Sequence, residues 1–217
     1  MGARYDAILF DLDGTLIDSL PAIHHAMTEV CDALDLPRPD VATVGRFVGG
    51  GVAVAMARLI DWAEADPALR PRAVEIMLDA YPRAPVELNA VLDGAREVLA
   101  RLADDGIPAG LCTNKPAVPT RLTLDGLLLG PFAGVICGDD LPLRKPDAAP
   151  LLACCARMGV APGRCLFVGD SEIDHAAAAA APMPFAFVAG GYLNAPLRAP
   201  EPTLRLSTLS ALLDHLS

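Results

Sequence analysis

The stretch Ala7-Ile-Leu-Phe-Asp-Leu-Asp-Gly-Thr15 decides how the rest of the chain is read. Four apolar residues, Ala7 to Phe10, run without a polar break and then meet an acidic, glycine-containing turn. A short continuous apolar run bounded by a turn signal predicts a strand buried on both faces. Such strands belong to parallel sheets covered by helices on either side. The turn then leaves the carboxyl end of that strand, where open parallel sheets bind their ligands.

Downstream, the same unit recurs. Ile107–Cys112, Ala133–Cys137, Cys165–Val168 and Pro184–Val188 read as strands. Asp93–Asp105, Pro116–Leu128, Pro146–Met158, Glu172–Ala181 and Thr208–Leu216 read as helices between and after them, the first stopped by Gly106. Strands alternating with helices imply right-handed crossovers and a doubly wound α/β core. Between Ser19 and Tyr81 only helical signals occur: His24–Leu34, Val52–Ala63 and Ala68–Ala80, punctuated by Pro37, Pro39, Gly49-Gly50-Gly51 and Pro67. Ser19 is placed to cap the first of these helices, with Pro21 in its opening turn. The expected organisation is a Rossmann-like core over 1–17 and 84–217 with an all-helical insert over 18–83 after the first strand. The linkers Ile17–Leu20 and Tyr81–Val86 would act as hinges, the second stiffened by Pro82 and Pro85.

The bulk numbers agree with one core and a small second lobe: 217 residues, 53% hydrophobic, with a formal charge of -10. A net acidic chain argues against general nucleic-acid binding. No run approaches the roughly 20 apolar residues of a membrane span. Met1 to Phe10 lacks the pattern of a secretory leader, which predicts a cytoplasmic protein. The six cysteines form no CxxC pair, and most sit in apolar runs, so they read as reduced, buried thiols.

If the strands are parallel, one rim collects the polar residues that end them. Asp11 comes with Asp13, Gly14 and Thr15 after the first strand, and Thr113 with Asn114 after the second. Lys145 follows the third across a loop, and Asp170 follows the fourth, with Asp174 a helical turn later. Carboxylates gathered at one point repel unless a cation or proton is shared. Hard oxygen ligands suit Mg²⁺. A lysine ammonium and a threonine hydroxyl suit phosphate oxygens. Two carboxylates two residues apart can divide labour between attack and proton transfer. The chain has only two lysines, Lys115 and Lys145, each before a proline and otherwise outnumbered by arginine.

Each of these residues also has a plain structural use. Asp11 and Asp13 suit a turn, Thr113 could cap the following helix, Lys145 could be a solvated loop lysine, and Asp174 favours a helix N-terminus. Lys115 reads as loop packing before it reads as a substrate contact. His24 and His25 have no partner set for zinc. Gly49–Gly51 reads as a flexible turn or a substrate-facing loop, Trp62 as packing, and Glu172 as solvent-facing.

Taken in order, DLDGT (Asp11–Thr15), Thr113, Lys145 before Pro146, and GDSEID (Gly169–Asp174) resemble the four motifs of the haloacid dehalogenase superfamily across the whole chain. CTNKP (Cys112–Pro116), RKPDAAPLL (Arg144–Leu152) and FVGDS (Phe167–Ser171) most resemble its phosphoglycolate phosphatases. The resemblance implies an aspartyl-phosphate formed on Asp11. It implies proton transfer by Asp13, and Mg²⁺ held by Asp11, Asp170 and the backbone carbonyl of Asp13. Phosphate would be held by Thr113 and Lys145, with Gly14, Asn114 and Asp174 in support. The insert would be the cap that closes over the rim. The chain departs from the family at Ala181-Pro182, where a glycine is common, and in the joining segment Arg83–Leu92.

The expected substrate is a small phosphorylated metabolite, with phosphoglycolate first and pyrophosphate or sugar phosphates as other options. Arg46 and Arg83 are candidates for its carboxylate. Asp13 disfavours a dehalogenase, and the absence of lysine between Phe10 and Val86 argues against a Schiff-base phosphonate hydrolase. A sugar phosphomutase is disfavoured, because Val52 rather than a basic residue follows the glycine triplet. A non-enzymatic binding protein would have lost at least one of these groups. A monomer and a homodimer are both open.

Overall fold

The computed structural model describes residues 5–216. Strand β1 is Ala7–Phe10. A two-residue strand β2 (Ile17–Asp18) leads into the helical insert: α1 (Leu20–Leu34), α2 (Val41–Gly45), α3 (Val52–Trp62) and α4 (Arg70–Ala80). The chain returns through β3 (Ala90–Val91) to α5 (Ala95–Asp104), β4 (Ala109–Cys112), α6 (Ala117–Leu127), β5 (Gly134–Ile136) and α7 (Ala149–Met158). It ends with β6 (Cys165–Gly169), α8 (Glu172–Ala180), β7 (Phe185–Val188), β8 (Leu204–Leu206) and a 3₁₀ helix, Leu209–His215.

Six strands form one parallel sheet in the order β5-β4-β1-β6-β7-β8. β1 lies near the middle, with Ile8 opposite Ala109 on one side and Leu166 on the other. All four of its side chains are fully buried, and they alternate between two cores. Ile8 and Phe10 face α5 and the terminal 3₁₀ helix, packing with Val98, Leu102, Leu209 and Leu212. Ala7 and Leu9 face α7 and α8, packing with Leu151, Cys154, Ala177 and Ala178. Each of the larger side chains, such as Ile8, Leu9 and Phe10, contributes about 1.5–3 kcal/mol by leaving water. A polar residue anywhere in 7–10 would therefore strike a filled core.

The insert has its own hydrophobic cluster, centred on Met27, Met56, Leu59, Ile60 and Met77, which shares no buried residue with the sheet's two cores. β2 and β3 pair antiparallel, Ile17 with Val91 and Asp18 with Ala90, so the two connecting segments are joined as a ribbon. All six cysteines are buried and free, as their apolar settings predict. No helix of the described residues is long and apolar enough to cross a membrane.

The structure differs from the sequence reading in local details. Ser19 precedes α1 but its side chain does not cap it; the Leu20 amide donates to Asp18 Oδ1 at 3.0 Å instead. α4 begins at Arg70, because Asp66 caps the preceding residues as a separate 3₁₀ turn, Pro67–Leu69. α7 begins at Ala149, after a turn in which Asp147 Oδ1 accepts from the Ala149 amide. α2, the ribbon and the sixth sheet strand β8 were not anticipated. The closing segment is 3₁₀ rather than α-helical.

Candidate active site

The strand ends bring the motif residues together. Asp11 N donates to Val168 O at 3.0 Å and Thr113 N to Ile136 O at 3.0 Å, so the sheet ladder fixes both residues just past their strands. Asp170 directly follows β6. Lys145 comes from the loop after β5 and is held by Asn114 in a reciprocal pair. The Lys145 amide donates to Asn114 Oδ1 at 3.0 Å, and Asn114 Nδ2 donates to Lys145 O at 2.9 Å. Asn114 Nδ2 also donates to Gly49 O at 2.9 Å, which ties the glycine turn of the insert to the rim.

Lys145 is the charge centre. Its side chain is 1% exposed, with Nζ 2.8 Å from Asp11 Oδ1 and 2.7 Å from Asp174 Oδ1. Asp174 serves twice, because its other oxygen accepts from the Ser171 hydroxyl at 2.6 Å and amide at 3.2 Å, closing a capping box on α8. Asp174 therefore both caps α8 and pairs with Lys145. Thr113 does not cap α6; Asp139 Oδ1 accepts from the Ala117 amide at 2.8 Å instead. The Thr113 hydroxyl accepts from the Lys115 amide at 3.1 Å.

Asp170 is clamped by Thr15, whose hydroxyl donates to Oδ1 at 2.6 Å, and by the Tyr192 amide, which donates to Oδ2 at 2.6 Å. Two glycines make room for it. Gly14 has φ +89, and a Cβ there would lie 2.4 Å from Asp170 Oδ2; one on Gly191 would lie 2.2 Å from the same atom. The glycine of DLDGT thus serves both a left-handed turn and the close approach of a carboxylate.

Carboxylate oxygens of Asp11, Asp170 and Asp174 lie within 4.8 Å of one another, all three buried. Burial pushes the Asp11 carboxyl well above the usual range; the neighbouring Asp174 and Asp170 push it further, and Lys145 opposes them. Asp170 is pushed up to about 7, by burial first and by Asp174 second. For Lys145, burial opposes the charged form, but Asp11 and Asp174 outweigh it and hold the ammonium above its ordinary value. One ammonium faces three carboxylates, and Asp11 Oδ1, though in charge contact with Lys145, takes no aligned hydrogen bond. An under-neutralised set of hard oxygens with an unsatisfied buried acceptor fits a divalent cation. The side chain of Asp13 lies outside this cluster.

A cavity opens over Asp11, bordered on the core side by Asp13, Thr113, Asn114 and Lys115 and on the insert side by Ile23, Val48, Gly49, Gly51, Val52 and Tyr81. Of the glycine triplet, Gly49 and Gly51 border this cavity. Arg46 and Arg83 do not border this cavity. Arg46 is exposed and donates to Thr43 Oγ1 at 2.8 Å. Arg83 is 52% exposed and pairs with Asp79 and Glu29, which fix its guanidinium away from the rim. Charge alone made both arginines candidates, and local acidic or hydroxyl partners claim them. Lys115, ranked lower in the sequence reading, lies on the cavity wall with a fully buried side chain. Tyr81, Tyr192 and Ser171 were missed. Tyrosines carry no motif signal, and only the fold brings Tyr192 beside residues over 170 positions away. His24 contacts Pro39 O, and Trp62 packs edge-on against Phe47, so neither joins the site.

Fold and site together describe a doubly wound α/β hydrolase in which an acidic, lysine-bridged rim lies beneath a helical insert. Residues 5–182 match the family model of haloacid dehalogenase-like hydrolases. The phosphoglycolate phosphatase of Rhodospirillum rubrum is 39% identical over 198 residues, covering 88% of this chain and 82% of that protein. The phosphoglycolate phosphatase of Pseudomonas putida is 39% identical over 212 residues, covering 95% and 78%. Among solved structures, one described as a predicted phosphoglycolate phosphatase from Haemophilus somnus superposes with a TM-score of 0.84 at 27% identity, over 97% of both chains. The chain belongs to the haloacid dehalogenase-like hydrolases, and it is an enzyme.

Proposed function

We propose that the chain is a Mg²⁺-dependent phosphomonoesterase that hydrolyses phosphoglycolate through an aspartyl-phosphate on Asp11. The observation that carries this reading is the placement of Asp11: a buried carboxylate at the cavity floor, 2.8 Å from Lys145. The relatives named for phosphoglycolate support the substrate.

Asp11 attacks phosphorus while the ester P–O bond breaks, and the departing alkoxide takes a proton from Asp13. Asp13 then takes a proton from water as the water oxygen attacks phosphorus, the bond to Asp11 breaks, and inorganic phosphate leaves. Lys145 and the Thr113 hydroxyl hold phosphate oxygens and offset charge in the transition state. Asp174 keeps Lys145 in place, and Asn114 fixes its backbone. Mg²⁺, held by Asp11, Asp170 and the Asp13 carbonyl, would lower the repulsion between the nucleophile and an anionic substrate. Residues 18–83 act as the cap and 1–17 with 84–217 as the catalytic core. The cap excludes water from the closed site and opens for entry.

Because neither Arg46 nor Arg83 borders the cavity, Arg46→Ala and Arg83→Ala should leave kcat and KM for phosphoglycolate unchanged. The deciding experiment is phosphate release from phosphoglycolate, pyrophosphate and hexose phosphates, with Mg²⁺, with chelator and with Asp11→Asn. Metal-dependent turnover led by phosphoglycolate and lost in the variant is expected. No turnover of any ester by folded protein would overturn the reading, and a sugar bisphosphate would then test a mutase.

A further inference from the structure

Lys115 is the buried cation for which the proposed reaction has no use. It follows Thr113 and Asn114 at the end of β4, and none of its side chain is exposed. Its Nζ lies 3.0 Å from Asp13 Oδ1 and donates to the Tyr81 hydroxyl. The same ammonium sits 4.4 Å from the centre of the Tyr81 ring. Among the described residues, Lys115 is the only side chain or amide donating a hydrogen bond to the Asp13 carboxylate. Tyr81 directly follows α4 and packs into the hydrophobic cluster of the insert. One ammonium therefore joins the carboxylate that must move protons to a residue of the opposite wall.

This arrangement is costly unless it has a purpose. Burying an ammonium carries a penalty of several kcal/mol that pairing only partly returns. The chain otherwise places arginine at 15 of its 17 basic positions, the 17 less the two lysines. A compact ammonium fits between a carboxylate and a phenol at one point, where a planar guanidinium fork does not. Asp13 lies beyond β1 with 13% of its side chain exposed, and without Lys115 its carboxyl would keep no hydrogen-bond donor among the described residues. A proton donor must lie within hydrogen-bond reach of the leaving oxygen, and a misplacement of about 1 Å can cost ~10²-fold in rate.

We propose that Lys115 and Tyr81 are positioning residues that hold Asp13 for proton transfer, with Tyr81 making that hold depend on the insert being seated. Lys115 gives up no proton; Asp13 delivers one to the departing alkoxide, and Lys115 sets where that carboxyl stands. The inference rests on the phosphatase reading above but has its own signature. An alkoxide needs the proton to leave, whereas a nitrophenolate does not.

The test is kcat/KM for wild type, Lys115→Met and Tyr81→Phe with phosphoglycolate, ethyl phosphate and p-nitrophenyl phosphate. This parameter reads only the steps through formation of the aspartyl-phosphate, before the shared hydrolysis step. Lys115→Met should lose about 10²-fold on both alkyl esters and less than about 3-fold on the aryl ester. Tyr81→Phe, which keeps the ring, should give the same pattern at roughly 10-fold loss. Equal losses on all three esters would overturn the inference, as would no loss on any. A loss confined to phosphoglycolate would also overturn it, by showing that Lys115 holds the substrate's carboxylate. Wild-type turnover of p-nitrophenyl phosphate and its disappearance in Asp11→Asn judge the phosphatase reading separately.

Discussion

Replacing Lys145 by methionine tests whether this residue is the electrostatic keystone of the rim. The side chain is 1% exposed, and its Nζ contacts carboxylates at 2.8 and 2.7 Å. At an effective dielectric of about 20, each contact is worth ~6 kcal/mol of Coulomb energy. Much of that offsets the burial of the ammonium, so the measurable loss on removing it should be about 3–5 kcal/mol. Methionine keeps the apolar stem, so little of the change is lost packing. For a chain of this size the loss corresponds to a fall in melting temperature of about 6–20 °C.

The loss should depend on pH. Asp11 is already raised by burial and by its acidic neighbours, and without Lys145 it is raised further. The folded variant then binds more protons than the unfolded chain, so its stability falls as pH rises above the ordinary carboxylate range. Lys145 stays charged throughout in the native protein. Urea denaturation of metal-free protein should therefore show a small difference between wild type and variant near pH 5 and the full difference near pH 8. A loss under about 1 kcal/mol at pH 8, or one equal at both pH values, would refute the assignment.

Three further outcomes follow from the same geometry. Asp11→Asn should abolish phosphate release but leave the melting temperature of metal-free protein unchanged or higher, because it removes a carboxylate that burial disfavours. Asp170, raised to about 7, makes metal-free stability fall as pH climbs from about 4 to 7. Bound Mg²⁺ favours the ionised form, so the thermal stabilisation by saturating Mg²⁺ should be larger at pH 8 than at pH 5.5, as thermal scans would read. Gly191→Ala would place a Cβ 2.2 Å from Asp170 Oδ2. Calorimetric titration should show Mg²⁺ affinity falling by at least about 10-fold, within the range seen when support of a metal ligand is lost.

The sheet and the rim were legible because they depend on strong local signals. Ala7–Phe10 is buried on both faces and reads as an unbroken apolar run, and Asp11, Thr113 and Asp170 each directly follow a strand. What escaped had no such signal. β2 and β3 are two residues each, below the length at which alternation can be seen, and β8 is a three-residue edge strand with an exposed arginine at its centre. The cap of α6 comes from Asp139, some twenty residues downstream, so the plain capping alternative for Thr113 does not hold. Arg46 and Arg83 show the converse failure. Sequence offers their charge but not the Thr43, Asp79 and Glu29 partners that hold them away from the cavity. Lys115 was flagged by rarity alone, and only the fold supplied Asp13 and Tyr81 as its partners.

The way the insert is attached bears on how such a site can both open and close. Its hydrophobic cluster shares no buried residue with the sheet's two cores, although Leu88 and Tyr192 from outside the insert pack against it. The prominent ties across the gap are polar: Asn114 to Gly49 O, Lys115 to Tyr81, and Asn194 Nδ2 to Val48 O at 3.4 Å. Each is worth about a kilocalorie, up to ~3 kcal/mol for the charged one, and water can replace each. The Tyr192 hydroxyl, by contrast, donates to Asp18 Oδ1 and accepts from the Ser19 amide, at the hinge end of the ribbon. Its own amide holds Asp170. This end of the insert is thereby fastened to the Asp170 side of the rim, while its other end lies over Asp11 and Asp13. Opening at that end would release Asn114 and Lys115 together. Lys145 would lose only the Gly49 brace behind Asn114, but Asp13 would lose the Tyr81 end of its support, so on the proposed mechanism proton transfer would be the step most dependent on closure.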